Sequence, residues 1–149
     1  MFKKSLLSLT AALFLSSLFV SGAFALQRVS PEKLLLDKGL NMVSYHPNKA
    51  IKILNKVLLK NPGSGSAYNG KGRAYIKLGD YRKAIYNFKK AIALNPKSAS
   101  AYNGLGISYL RDGKKNKGCL YMAKADKLNS RFKGTLEYFQ KMGECPLSL

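Results

Sequence analysis

Residues able to move protons, hold a metal or form a covalent intermediate are few: one histidine, seven acids and two cysteines in 149 residues. His46 stands beside Pro47 with no second histidine and no cysteine at ligand spacing, so it reads as a turn residue. The acids Glu32, Asp37, Asp80, Asp112, Asp126, Glu137 and Glu144 are spread along the chain, and no pair is placed for general acid and base work. Gly65 to Lys71 has the spacing of a phosphate-binding loop as far as its lysine. The next residue, however, is Gly72 where Ser or Thr would hold Mg²⁺, and no strand precedes the segment. The residues therefore point to no catalytic site, no metal and no cofactor, and to binding rather than catalysis.

What remains is a basic, core-forming chain. Lys and Arg total 26 against 7 acids, a formal charge of +19, and 46% of residues are hydrophobic, enough to build one domain. Lys3 and Lys4 are followed by an uncharged apolar run to Val20 and then by Ala23-Phe24-Ala25. A basic start, a short apolar run and a small-x-small tripeptide form the pattern of a secretory signal peptide over residues 1–25. The expectation is cleavage after Ala25 and a periplasmic or secreted product. In an oxidising compartment Cys119 and Cys145 are natural disulfide partners, two unpaired buried thiols being the alternative.

The mature chain carries an internal repeat. Ser66-Ala67-Tyr68-Asn69-Gly70 recurs as Ser100-Ala101-Tyr102-Asn103-Gly104, and Gly72, Tyr75, Gly79, Ala91 and Leu94-Asn95 also recur at an offset of 34. Thirteen of 32 positions are identical between 65–96 and 99–130. Tyr68, Gly72, Tyr75, Ala84, Phe88 and Pro96 follow the order aromatic, Gly, Tyr, Ala, Phe, Pro. The chain thereby resembles the tetratricopeptide repeat (TPR) family, with Lys71 departing where Leu is usual. The next copy decays, with Gly118 for Ala, Met122 for Phe and Ser130 for Pro. Upstream, Ala50, Leu54, Val57 and Pro62 fit a second half, and Leu35, Gly39 and Met42 fit a first half if the intervening turn is one residue short.

The resemblance implies an all-α solenoid of helix pairs, with repeats at about 31–62, 65–96 and 99–130. Apolar residues recur at spacings of three, four and seven, as paired amphipathic helices require. Gly79-Asp80 and Gly113 should end first helices, and Asn61-Pro62 and Asn95-Pro96 second helices. A solenoid end needs a cap. Phe132, Leu136, Phe139 and Met142 fall on one face of a helix expected over 131–143, leaving 144–149 as a tail. A Cys119–Cys145 bridge would staple that cap to the third repeat.

By the same resemblance, first helices line a groove for a peptide or a partner's helix. The lining positions would be Ser66, Asn69, Arg73 and Lys77, with Ser100, Asn103, Ile107, Leu110 and Arg111. Asn can hydrogen-bond an extended backbone and Arg can grip a carboxylate, so the expected partner is an acidic protein segment. The chaperone-binding carboxylate clamp of the family is not matched, because its positions fall at Gly70, Ser100 and Gly104. The expectation is an adaptor or scaffold of an envelope or secretion assembly.

Second helices carry a lysine-rich face: Lys49, Lys52, Lys56 and Lys60; Arg82, Lys83, Lys89 and Lys90; Lys114, Lys115, Lys117, Lys124 and Lys127. The alternative reading is contact of this face with anionic lipid, lipopolysaccharide or cell-wall polymer. Nucleic acid is not expected, for want of aromatic residues between the lysines and because of the compartment. Three repeats are near the minimum for stability; self-association, with Tyr86, Tyr121 and Tyr138 extending an apolar surface, would complete the core.

Overall fold

The computed structural model describes residues 30–146; the signal-peptide reading of residues 1–25 lies outside them. The described residues form seven α-helices and no strand: α1 Pro31–Asn41, α2 Pro47–Lys60, α3 Gly65–Lys77, α4 Tyr81–Leu94, α5 Ala99–Arg111, α6 Lys115–Leu128 and, after a 3₁₀ turn at Ser130–Phe132, α7 Lys133–Lys141. This is the all-α solenoid expected from the repeat.

Short polar side chains set the boundaries. The Ser64 and Ser98 hydroxyls accept from the Ala67 and Ala101 N–H groups, and the Asp80 carboxylate accepts from Lys83 N–H, so α3, α5 and α4 begin on side-chain caps. Gly79 and Gly113 close α3 and α5 at φ +75° and +80°, a region that L side chains enter only with strain. The second helices end on asparagines that do more than precede proline. Asn61, Asn95 and Asn129 accept, through Oδ1, from the N–H two residues on. Asn129 makes the same turn with Ser130 after it, so the turn survives where the repeat has lost its proline.

Each helix pair closes around one large side chain of its second helix. Leu54, Phe88 and Met122 are fully buried, each flanked one turn away by a small residue: Ala50, Ala84 and Gly118 on one side, Val57, Ala91 and Ala125 on the other. A Cβ on Gly72 would lie 2.8 Å from the Phe88 ring, and one on Gly106 would lie 2.6 Å from Met122. Gly104 of the next repeat faces the same Phe88 ring, which therefore locks two repeats together. In the first repeat Gly39 meets Leu54 in the same way, one residue nearer in sequence. The turn is not the short part, because α1 ends two residues after Gly39 and residues 42–46 form the turn, whereas α3 runs five residues past Gly72 to a turn of only 78–80.

That register explains the N-terminal edge. Where the later repeats bury Ala67, Gly70 and Ala74, or Ala101, Gly104 and Ser108, against the repeat before them, α1 presents exposed Leu34, Asp37 and Asn41. The outer face is made mainly polar, as a terminal repeat requires.

At the other end α7 lays Phe139 over Leu110, Met122 and the Cys119–Cys145 disulfide, with Leu136 and Ile107 beside them. Lys115 and Glu144 pair at 2.7 Å across the same junction. Met142 does not join this face and is 63% exposed. The helix stops at Lys141, and Gly143 at φ +71° turns the chain so that Cys145, not Met142, reaches back to α6.

Candidate partner-binding groove

The first helices α1, α3 and α5 bring most of the expected groove residues onto one face. Ser66, Arg73 and Lys77 on α3 and Ser100 and Arg111 on α5 are exposed, and Asn69 and Asn103 are half-buried between them. Neither α3 nor α5 contains an acidic residue, so the three cations have no neutralising neighbour on their own helices.

The asparagines are already engaged in part. Asn69 Nδ2 donates to Ser100 Oγ at 3.2 Å and ties α3 to α5 across the repeat junction. Its Oδ1 is buried without a protein donor, and so is that of Asn103. At the position on α7 that corresponds to Ser100 the chain has Gly134, which offers Asn103 no hydroxyl. Each asparagine thus keeps a buried carbonyl oxygen that the protein leaves without a donor. Ser66 and Asn69 also line a cleft of about 330 Å³ with Gly65, Leu94 and Asn95, between the start of α3 and the end of α4.

Two expected groove residues are placed otherwise. Leu110 is 7% exposed and lies in the core beneath Phe139, and Ile107 packs against the same cluster. The cap descends on the C-terminal half of α5, buries Leu110 and leaves Ile107 half-buried. Lys71, the departure from the repeat pattern, is half-buried with its ammonium 5.8 Å from the centre of the Tyr68 ring. Its burial holds the pKa below the ordinary lysine value.

The segment that imitated a phosphate-binding loop, Gly65 to Lys71, is the first two turns of α3, where the backbone N–H groups serve the helix and its Ser64 cap. Among the described residues no three of His, Cys, Asp or Glu gather as a metal site.

On the second helices every lysine and arginine named above is exposed. Contrary to expectation, aromatic rings do lie between them. Tyr121 stacks between Tyr102 and Tyr109 at 6.2 and 5.5 Å, with Lys124 4.5 Å over Tyr102 and both Lys89 and Lys114 5.9 Å over Tyr109. Tyr121 is therefore packed into the stack and does not extend an exposed surface, whereas Tyr86 and Tyr138 are 58% and 56% exposed. Tyr102 and Tyr109 are 6% and 7% exposed, so their faces are covered by lysine and closed to a base. The sequence signal for this stack was Tyr121 itself, which replaces Asn87 of the preceding repeat.

Residues 72–113 match the family model described as TPR repeat. No curated protein matches the sequence. Among solved structures, MamA 41-end from Desulfovibrio magneticus RS-1 is 25% identical with a TM-score of 0.65, over 76% of this chain and 66% of that one. A second MamA crystal structure is 27% identical with a TM-score of 0.65, over 76% and 70%. The Arabidopsis OM64 TPR domain superposes with a TM-score of 0.69 over 75% of this chain and 95% of the domain, at 16% identity, and shows the fold alone. The chain spans 66% and 60% of two further MamA structures that it resembles. The fold is a tetratricopeptide solenoid, an architecture that serves as a scaffold for protein interaction.

Proposed function

We propose that this chain is an exported, non-catalytic adaptor that binds an acidic segment of a protein partner on its first-helix face, within an envelope or secretion assembly. The observation that carries the reading is electrostatic: α3 and α5 hold no acid and expose Arg73, Lys77 and Arg111 along one face. The half-buried side chains of Asn69 and Asn103 belong to the same two helices, and the Oδ1 of each is without a protein donor. Export is inferred from the signal-peptide pattern of residues 1–25, and the Cys119–Cys145 disulfide suits an oxidising compartment.

The test is capture from envelope extract on immobilised residues 26–149, beside Arg73→Glu/Arg111→Glu. The expected result is a defined protein that survives raised salt and loses at least about tenfold in affinity for the double variant. Equal affinity for both would overturn the groove reading. A second reading, contact of the lysine face with anionic envelope components, is favoured by the full exposure of that face.

A further inference from the structure

We infer that α2, rather than the lysine face as a whole, is a docking surface for an anionic lipid bilayer. The inference deepens the second reading above. Helix α2 spans fourteen residues, about 21 Å, and buries Ala50, Leu54 and Val57 against α1 and α3. Lys49, Lys52, Lys56 and Lys60 follow one another at spacings of three, four and four, which sets them in a single row along the helix. All four are exposed, α2 has no acidic residue, and none of the four forms an ion pair among the described residues. Elsewhere on the second helices, Lys83, Lys114 and Lys115 are paired with Asp80, Asp112 and Glu144. Of the two carboxylates on α1, Glu32 accepts a hydrogen bond from Asn61, beyond the row, and Asp37 is exposed on the N-terminal edge and forms no ion pair with the four lysines.

Charge alone would serve any polyanion; two apolar side chains select the bilayer. Leu59 is 84% exposed and stands three residues after Lys56 and seven after Lys52, on the surface beside the row. Tyr45, two residues before the helix, is 83% exposed at the opposite end. A row of cations bracketed by a leucine and a tyrosine matches the headgroup layer, where lysine meets lipid phosphate, leucine enters the acyl boundary and tyrosine settles at the interface. A hydrated polysaccharide or a nucleic acid gives Leu59 nothing to enter.

The test is co-sedimentation of residues 26–149, which include the whole compact unit from Pro31 onward, with vesicles of phosphatidylcholine alone or with about one third phosphatidylglycerol. At roughly fivefold per lysine near an anionic surface, Lys52→Glu/Lys56→Glu should lower partition into the anionic vesicles by more than about tenfold. Leu59→Ser should lower it several-fold and leave binding to immobilised heparin unchanged. Circular dichroism of each variant confirms the fold, since all three positions are exposed. Loss with Lys117→Glu/Lys124→Glu but not with the α2 pair would overturn the α2 assignment and leave the lysine-face reading standing. An inert Leu59→Ser, or equal binding to neutral vesicles, would overturn the bilayer as ligand. Failure to bind either anionic vesicles or heparin would overturn both readings together.

Discussion

Gly106 and Gly118 face each other where α5 meets α6 so closely that a Cβ on either would lie 2.8 Å from the carbonyl oxygen of the other. In the corresponding place the first two repeats have Ala50 and Ala84, so Gly118 reads in sequence as decay of the pattern. In the structure it is the condition for the close approach. The obstacles to a Cβ on Gly118 include the backbone of Gly106 and of Leu110, which cannot swing aside. Gly118→Ala, a return to the pattern, should therefore cost about 1–3 kcal/mol. Gly134, a helical glycine of α7 with open space around its Cβ position, should gain a few tenths to about 1 kcal/mol when changed to Ala. Urea unfolding of the two variants reads the contrast; equal effects would dismiss the close approach as the cause.

Phe88 carries the junction between the second and third repeats, since its ring meets both Gly72 and Gly104. It is fully buried among Ala84, Ala91, Ala101 and Leu105. Phe88→Ala should cost about 3–5 kcal/mol, a large part of the 5–15 kcal/mol that holds an ordinary domain together. The chemical-denaturation midpoint would fall accordingly. A loss below about 1 kcal/mol would mean that the two repeats are held by something other than this ring.

The disulfide closes a loop of sequence separation 26, worth about 3.5 kcal/mol in the chain-entropy description. Beside it the cap buries Phe139 and half-buries Leu136. Reduction, or Cys119→Ser/Cys145→Ser, should lower stability by about that amount and speed amide exchange in α7 before α3 to α5. Uniform exchange across all helices would show that the cap and the repeats open together.

Much of this was legible in the sequence because repeats state their geometry more than once. The Gly79 and Gly113 turns and the buried Leu54, Phe88 and Met122 recur at fixed offsets, and the spacing of Gly39 and Ala50 showed that one residue is missing between them, although it is α1 that ends early and not the turn that is short. Features without a second copy were not legible. Leu110 and Ile107 occupy groove positions by register, yet the cap descends on them. Met142 has the right helical spacing, but the helix ends before it because Gly143 and the disulfide redirect the chain. Asn69 was visible as a polar groove residue, but not its hydrogen bond to Ser100, which depends on how two helices meet.

Asp80 caps α4 and pairs with Lys83 at 2.7 Å. The Lys83 side chain, with help from the Lys83 N–H, holds the Asp80 carboxyl below its ordinary pKa, and Asp80 in turn raises that of Lys83. A lowered acid pKa stabilises the fold above the unfolded-chain value of 3.8 and loses that contribution as pH falls through the folded value. A raised lysine pKa stabilises below 10.5 and loses its contribution as pH rises through the folded value. Asn retains the cap without the charge. The melting temperatures of wild type and Asp80→Asn should therefore differ most near neutrality and converge at both strong acid and strong alkali. A constant difference across that range would mean that the pair contributes nothing to the pH dependence.

Asn87 is 3% exposed; its Nδ2 donates to Lys83 O one turn back, and its Oδ1 is buried without a protein donor. The other repeats place Ile53 and Tyr121 here, so the position accepts a bulky side chain. Asn69 and Asn103 also bury an Oδ1 without a donor, but they belong to first helices. Asn87 belongs to a second helix. Asn87→Ile removes a buried acceptor left unpaired and adds apolar contact, and the expected gain is about 1 kcal/mol, or roughly 4 °C in melting temperature. Calorimetry of Asn87→Ile beside Asn69→Ile separates the cases: Asn87→Ile should melt higher, whereas Asn69→Ile gives up the bond to Ser100 across the repeat junction and should not. A fall in melting temperature for Asn87→Ile would show that its amide makes an interaction stronger than the one to Lys83.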